Sequence, residues 1–351
     1  MFHGLEQDNG LDFLQSVMVE RIMAKPHFFG GYLVFEKLIS MSEPWLQYAI
    51  RLNLLNECRE DLFDLKKEVL RDKKILSYLN EITNFHNAIV RNHKDPDLSI
   101  NKLLFLLDIG LETDIPEIES AVKQIMSHKD KNGVYQSMTN IPPHYGGKGE
   151  DVFGWCLCDA PLLLMALLKA KIDYQQHIKQ GVEHLISLYR EQGFPCSVSE
   201  EHGTFRGPGR KDDCCPFATL IMLKLLSEID EYQNSEIVKG GIEVILSLWE
   251  NSLERHPYMF YMGTDFRKLK APAMWYDIVS VADLLSKHDF AKTDSRFCEM
   301  VDLIKGKQDA DGMFIPESVY QKFKGWDFGQ KKTVSSYLSY LCIRLLKRVH
   351  G

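Results

Sequence analysis

Apolar residues recur along this chain at intervals of three and four, in long segments punctuated by glycine and proline, and few stretches alternate with the period of two that marks a strand. The pattern predicts a nearly all-helical fold. Two kinds of helix can be told apart. The first is apolar on almost every face, as in APLLLMALLKA (160–170) and CPFATLIMLKLL (215–226), which superpose with Pro161 on Pro216 and Lys169 on Lys224. Segments of similar shape are EPWLQYAIRLNLL (43–55), INKLLFLLDIGL (100–111), WYDIVSVADLL (275–285) and VSSYLSYLCIRLL (334–346). The second kind is amphipathic, as in DYQQHIKQGVEHLISLY (173–189) and NSEIVKGGIEVILSLW (234–249), whose polar faces suit an outer layer.

The six apolar segments begin roughly every 55 to 61 residues, the spacing of one helical hairpin per repeat. Six hairpins with apolar helices inside and amphipathic helices outside predict an all-α α/α toroid, a single domain over 1–351 with less regular hairpins in 1–130 and clear repeats in 131–351. Turns support the repeat: KDKNGVYQS at 129, REQGFPCS at 190 and KQDADGMFIPES at 307 each place a glycine beside an apolar or aromatic residue after an outer helix. The charged stretch 57–82 reads as the solvated face of exposed helices.

Composition bounds the function. The 351 residues are 45% hydrophobic, ample for a large core, and the net charge of -7 argues against a nucleic-acid binder. Eight irregularly spaced cysteines, two of them adjacent, do not form a secreted disulfide pattern. Acids stand where a secretory leader would be basic, and no apolar run is long enough to span a membrane, so the expected location is the cytoplasm.

Candidate chemistry gathers in the loops leading into the last four apolar helices: 142–159, 203–215, 263–277 and 320–333. Each carries a glycine, an aromatic, a basic residue and an acid near the helix start. Lys148, Arg206, Arg210, Lys211, Arg267, Lys268, Lys270, Lys324, Lys331 and Lys332 would form a basic rim beside helix N-termini with free N–H groups, an anion site. Trp155, Trp275 and Trp326 would form an apolar wall, with Asp159, Asp213, Asp277 and Asp327 as acid/base candidates. Asp212 and Cys214 form an Asp-x-Cys pair at a helix start, which a third ligand would turn into an open zinc site. Cys215 points about 100° away from Cys214 on a helix and reads as a packing residue. A second metal arrangement joins Cys156 and Cys158 to Cys214 or Cys215.

The loop FRGPGRKDDCCPF (205–217) resembles the corresponding loop of the β subunit of protein prenyltransferases. The resemblance implies a zinc bound by Asp212 and Cys214, a prenyl diphosphate held by Arg210 and Lys211, and a second subunit. That family takes its third ligand from a histidine opening the next inner helix; here Tyr276 or Asp277 stands there. QDADGMF (308–314) resembles the repeat turns of squalene and other terpenoid cyclases, but the Asp-x-Asp-Asp motif with which those cyclases protonate substrate is missing. Trp155 and Cys156 resemble a pair in lanthipeptide cyclases, again without their Cys-His pair. The expected function is therefore a prenyltransferase- or terpenoid cyclase-like enzyme for an anionic amphiphile, metal-assisted if zinc binds. The alternatives are a non-catalytic small-molecule or lipid binder that uses the same cavity, and a carbohydrate-active toroid with paired carboxylates or a lanthipeptide-cyclase-like one.

Overall fold

The computed structural model describes residues 31–350 apart from 204, 206–212, 253, 255, 258 and 259. It is mostly helical, with fourteen α-helices among the described residues. Twelve of them alternate between two environments. Odd-numbered helices are amphipathic: α1 (Gly31–Ser40), α3 (Lys73–Ile82), α5 (Pro116–Ser127), α7 (Lys179–Ile186), α9 (Glu236–Glu250) and α11 (Ser295–Lys305). The even-numbered ones carry the apolar segments: α2 (Pro44–Asn53), α4 (Ser99–Asp108), α6 (Ala160–Lys169), α8 (Pro216–Leu226), α10 (Ile278–Leu285) and α12 (Ser336–His350). The stretch 57–82 contributes α3 and a short helix, Phe63–Val69, which bury only one face each.

Sequence dictates both the starts and the packing. Proline in the first turn opens α2, α5, α6 and α8, where its missing N–H costs nothing. Side-chain caps at Asp72, Ser235, Asp277 and Asp294 open α3, α9, α10 and α11. The α9 stripe Val238, Gly241, Ile242, Ile245, Leu246 and Trp249 recurs at helical spacing and is buried, leaving charges outside. In α8 every residue is buried except Lys224, which is partly so.

The even helices pack in sequence order: α4 on α6, α6 on α8, α8 on α10, α10 on α12, and α12 back on α2. Trp45 of α2 meets Phe105 of α4 at 5.3 Å, and Asn53 donates to the Asp108 carbonyl at 2.9 Å, which links the first pair. Each odd helix from α5 to α11 lies against an even neighbour, and α9 also touches α11. A two-stranded antiparallel ribbon, Ser137–Thr139 with Val152–Gly154, sits in the loop leading into α6 and has no counterpart in the sequence reading. Among the described residues no helix is long and apolar enough to cross a membrane.

The glycine–aromatic turns are tied to the even helices by a repeated pair of hydrogen bonds. Phe194 N–H donates to Thr219 Oγ1 in α8, and Phe314 N–H donates to Ser339 Oγ in α12, both at 2.9 Å and across 25 positions. The same two aromatics accept, through their carbonyls, from Cys215 and Ser335 at the helix starts. Gly193 and Gly312 precede or approach these anchors with φ of 102° and 78°, a region that disfavours other residues. Both phenylalanines are fully buried, so their N–H groups have no water to fall back on. Thr219→Val or Ser339→Ala should each cost about 1–3 kcal/mol in urea denaturation. Thr293→Val, at an exposed threonine, should stay within about 0.5 kcal/mol.

Candidate functional site

The loops leading into α4, α10 and α12 enclose a pocket of about 410 Å³ whose lining includes Lys94, Lys270, Trp275, Tyr276, Asp277 and Tyr320. Three buried oxygens here lack any hydrogen-bond partner: Tyr276 Oη, Asp277 Oδ2 and Tyr320 Oη. All three belong to residues that line the pocket, and the oxygens themselves are closed to solvent. Asp277 stays fixed because its other oxygen, Oδ1, accepts from Ser280 N–H at 2.8 Å and caps α10.

Burial sets the electrostatics. It pushes the Asp277 carboxyl up to about 6, against the opposing pull of the cap and of Lys224 and Lys270. It also raises both phenols, keeping Tyr276 and Tyr320 as neutral O–H donors, and lowers the Lys270 ammonium. Lys270 Nζ lies 3.3 Å from the centroid of the Tyr320 ring, and Lys94 Nζ lies 5.5 Å from that of Trp275. Trp275 packs at 4.0 Å, tilted by 34°, against Phe217 of α8, which completes an apolar side with Phe260 and Phe266.

A second cavity, of about 430 Å³, runs along the even helices and is lined by residues from all six of them. Its middle is apolar, with Phe105, Met165, Ile221 and Leu341; its far end carries Lys169, Glu228, Asp283, Lys287, Arg344 and Arg348. These charges are mostly paired: Lys169 with Asp108, Lys287 with Glu228, and both arginines with Asp283. Lys224 differs, since its Nζ donates to Ser280 Oγ at 2.7 Å and to the Ala273 carbonyl at 3.4 Å. Burial lowers its ammonium below the usual lysine range. Residues 272–274 line this cavity and 275–277 line the lead-in pocket, so one short segment divides the two.

The structure brings together part of the sequence-derived set. Asp277, Lys270 and Trp275 share the lead-in pocket. Asp327 instead accepts from Ser335 Oγ, Ser336 Oγ and Tyr337 N–H at the start of α12, with Oδ1 buried and unpartnered. Trp326 packs among Trp45, Tyr78, Phe105 and Phe328, and Trp155 donates to Asp130 at 2.9 Å. Trp155 and Asp213 line another cleft, of about 690 Å³, between the turns at 129–136 and 195–205. Lys268 pairs with Asp265, Arg267 lies over Trp249, and Lys148, Lys324, Lys331 and Lys332 are exposed. Arg206, Arg210, Lys211 and Asp212 lie outside the described residues.

For the zinc expectation, Cys214 is the testable member. Its Sγ donates to the Gly193 carbonyl at 3.1 Å, and burial pushes the thiol up to about 11, so it is a protonated donor engaged with the backbone. The adjacent Cys215 caps α8 through Ala218 N–H and has the thiols of Cys158 and Cys196 as partners, which together hold it well below the usual cysteine range. Among the described residues one group of three or more possible ligand atoms lies within 4.8 Å: His93, Cys156 and Asp159.

Sequence reasoning passed over Lys94, Tyr320, His93 and His202. Lys94 and His93 belong to RNHKDPD, the loop leading into α4, whose basic, imidazole and acidic residues carry the same signal as the later loops. No protein-family model, curated protein or solved structure matches this chain.

The raised Asp277 has a measurable consequence. Between pH ~4 and 6 the folded state keeps a proton that the unfolded chain releases, so stability falls as pH rises through that window and levels above it. Asp277→Asn should remove roughly 3 kcal/mol of that decline. Urea titrations of both proteins at pH 4, 5, 6 and 7 check it; parallel pH profiles would contradict the burial argument.

Proposed function

We propose that this protein is an α/α toroid enzyme of the prenyltransferase or terpenoid cyclase type, acting on an anionic amphiphile in the lead-in pocket. The cyclic order of contacts among the even helices supports the toroid, and the three orphaned oxygens beside two lysines support the substrate class. Lys94, Lys270 and the two phenols form a set of donors suited to a phosphate or diphosphate head, and Trp275, Phe260 and Phe266 offer an apolar surface to its chain.

The chemistry follows from that arrangement. When the carbon–oxygen bond to a diphosphate breaks, negative charge grows on the leaving oxygens, and neutral phenol O–H groups with nearby ammoniums stabilise it more than they stabilise the ester. The allylic carbon then bonds to a nucleophile or to an alkene of the same chain, and a proton is released. Asp277, ionised above about pH 6, is our candidate to take it.

Farnesyl diphosphate is the direct probe, with farnesol as the control lacking the head. Calorimetry should show farnesyl diphosphate binding that Lys270→Ala weakens at least ~10-fold, about 1.4 kcal/mol. Asp277→Asn should retain that binding and lose diphosphate release by ~100-fold or more. Binding without release in the native protein would identify a non-catalytic carrier, and binding indifferent to Lys270→Ala would remove the pocket from the reading.

A further inference from the structure

His93, Cys156 and Asp159 come from two segments that meet beside the start of α6. Asp159 is 1% exposed and Cys156 2%, yet Asp159 is a carboxylate whose Oδ1 accepts from Cys156 N–H at 2.9 Å. Its Oδ2 faces His93 Nε2 at 3.3 Å, and the three possible ligand atoms all lie within 4.8 Å of one another. A nitrogen, a sulfur and an oxygen at that separation match the donor set and reach of a tetrahedral first-row metal centre with one position left over.

A second observation points the same way. His202, 3% exposed, has a buried Nε2 with no hydrogen-bond partner, and its ring is close enough to feel the charges of both Asp159 and His93. Gly154 makes room for it: a Cβ there would stand 2.4 Å from His202 Nε2. His202 is thus a buried neighbour of the cluster whose Nε2 abuts Gly154.

We propose that His93, Cys156 and Asp159 bind one divalent transition-metal ion, zinc by preference, with the remaining position open to solvent or an exogenous ligand. The His93 side chain is 21% exposed and offers the way in from solvent. Binding converts the Cys156 thiol to thiolate and releases its proton, so affinity rises with pH.

Protein purified without chelator should carry close to one equivalent of zinc by elemental analysis. The apoprotein titrated with Co2+ should develop tetrahedral d–d bands together with a thiolate-to-cobalt charge-transfer band. Cys156→Ser should abolish the charge-transfer band, and His93→Ala, at the partly exposed ligand, should weaken Co2+ binding by more than ~100-fold with native far-ultraviolet circular dichroism. The Cys158, Cys196 and Cys215 thiols form a neighbouring group, and a charge-transfer band that survives in Cys156→Ser would assign the metal there and overturn the proposal. Absence of both stoichiometric zinc and any Co2+ spectrum would overturn it as well. These readouts use the metal alone, so they succeed or fail independently of farnesyl diphosphate binding.

Discussion

A helix that is apolar on every side can be stable in water only if other helices enclose it, and α8 imposes that condition on the chain. Ten of its eleven residues are buried. Its neighbours α6 and α10 on either side and α9 behind it supply the enclosure, and each even helix repeats the demand for its own neighbours. Satisfying all of them at once leads to contacts that return to α2. The polar groups such a core cannot tolerate are then concentrated in the loops leading into the helices and in the paired charges that line the second cavity.

That concentration explains why the chemistry sits where it does. A helix start offers unsatisfied N–H groups, and the chain answers with Asp277, Cys215, Asp327 and the Phe194 and Phe314 carbonyls. Most of these acceptors are used up by capping. Asp277 caps with one oxygen only, and its second, like the Tyr276 and Tyr320 hydroxyls, is buried without a partner. In the proposed reading the capping carboxyl and the proton acceptor are the same group, held in place by the first role.

The helices and their alternation were legible in the sequence because hydrophobic periodicity carries that information directly; the six apolar segments correspond to α2 through α12. The candidate site was legible only where residue type and position coincided, as for Asp277, Lys270 and Trp275. Trp326 and Trp155 illustrate what composition cannot separate. A tryptophan in a lead-in loop is equally able to line a pocket or to pack against Trp45 and Phe105, and the choice depends on where the loop turns. The two adjacent cysteines show the same limit. Cys214 meets a backbone carbonyl and Cys215 meets two other thiols, an outcome set by contacts with residues 193, 158 and 196 that no local pattern encodes. The ribbon at 137–154 escaped for a related reason, since three-residue strands carry too little alternation to register.

The wall formed by residues 272–277 also makes the two cavities electrically aware of each other. Lys224 stands on the side of the second cavity, bonded to Ala273 and Ser280, and its charge helps to hold the Asp277 carboxylate on the other. An anion resting against Lys224 in the second cavity would screen that charge and drive the Asp277 proton affinity higher still. By reciprocity, ionising Asp277 would loosen the hold on such an anion. The coupling would run through Lys224 alone: an anion on one side of the partition would be felt as basicity on the other.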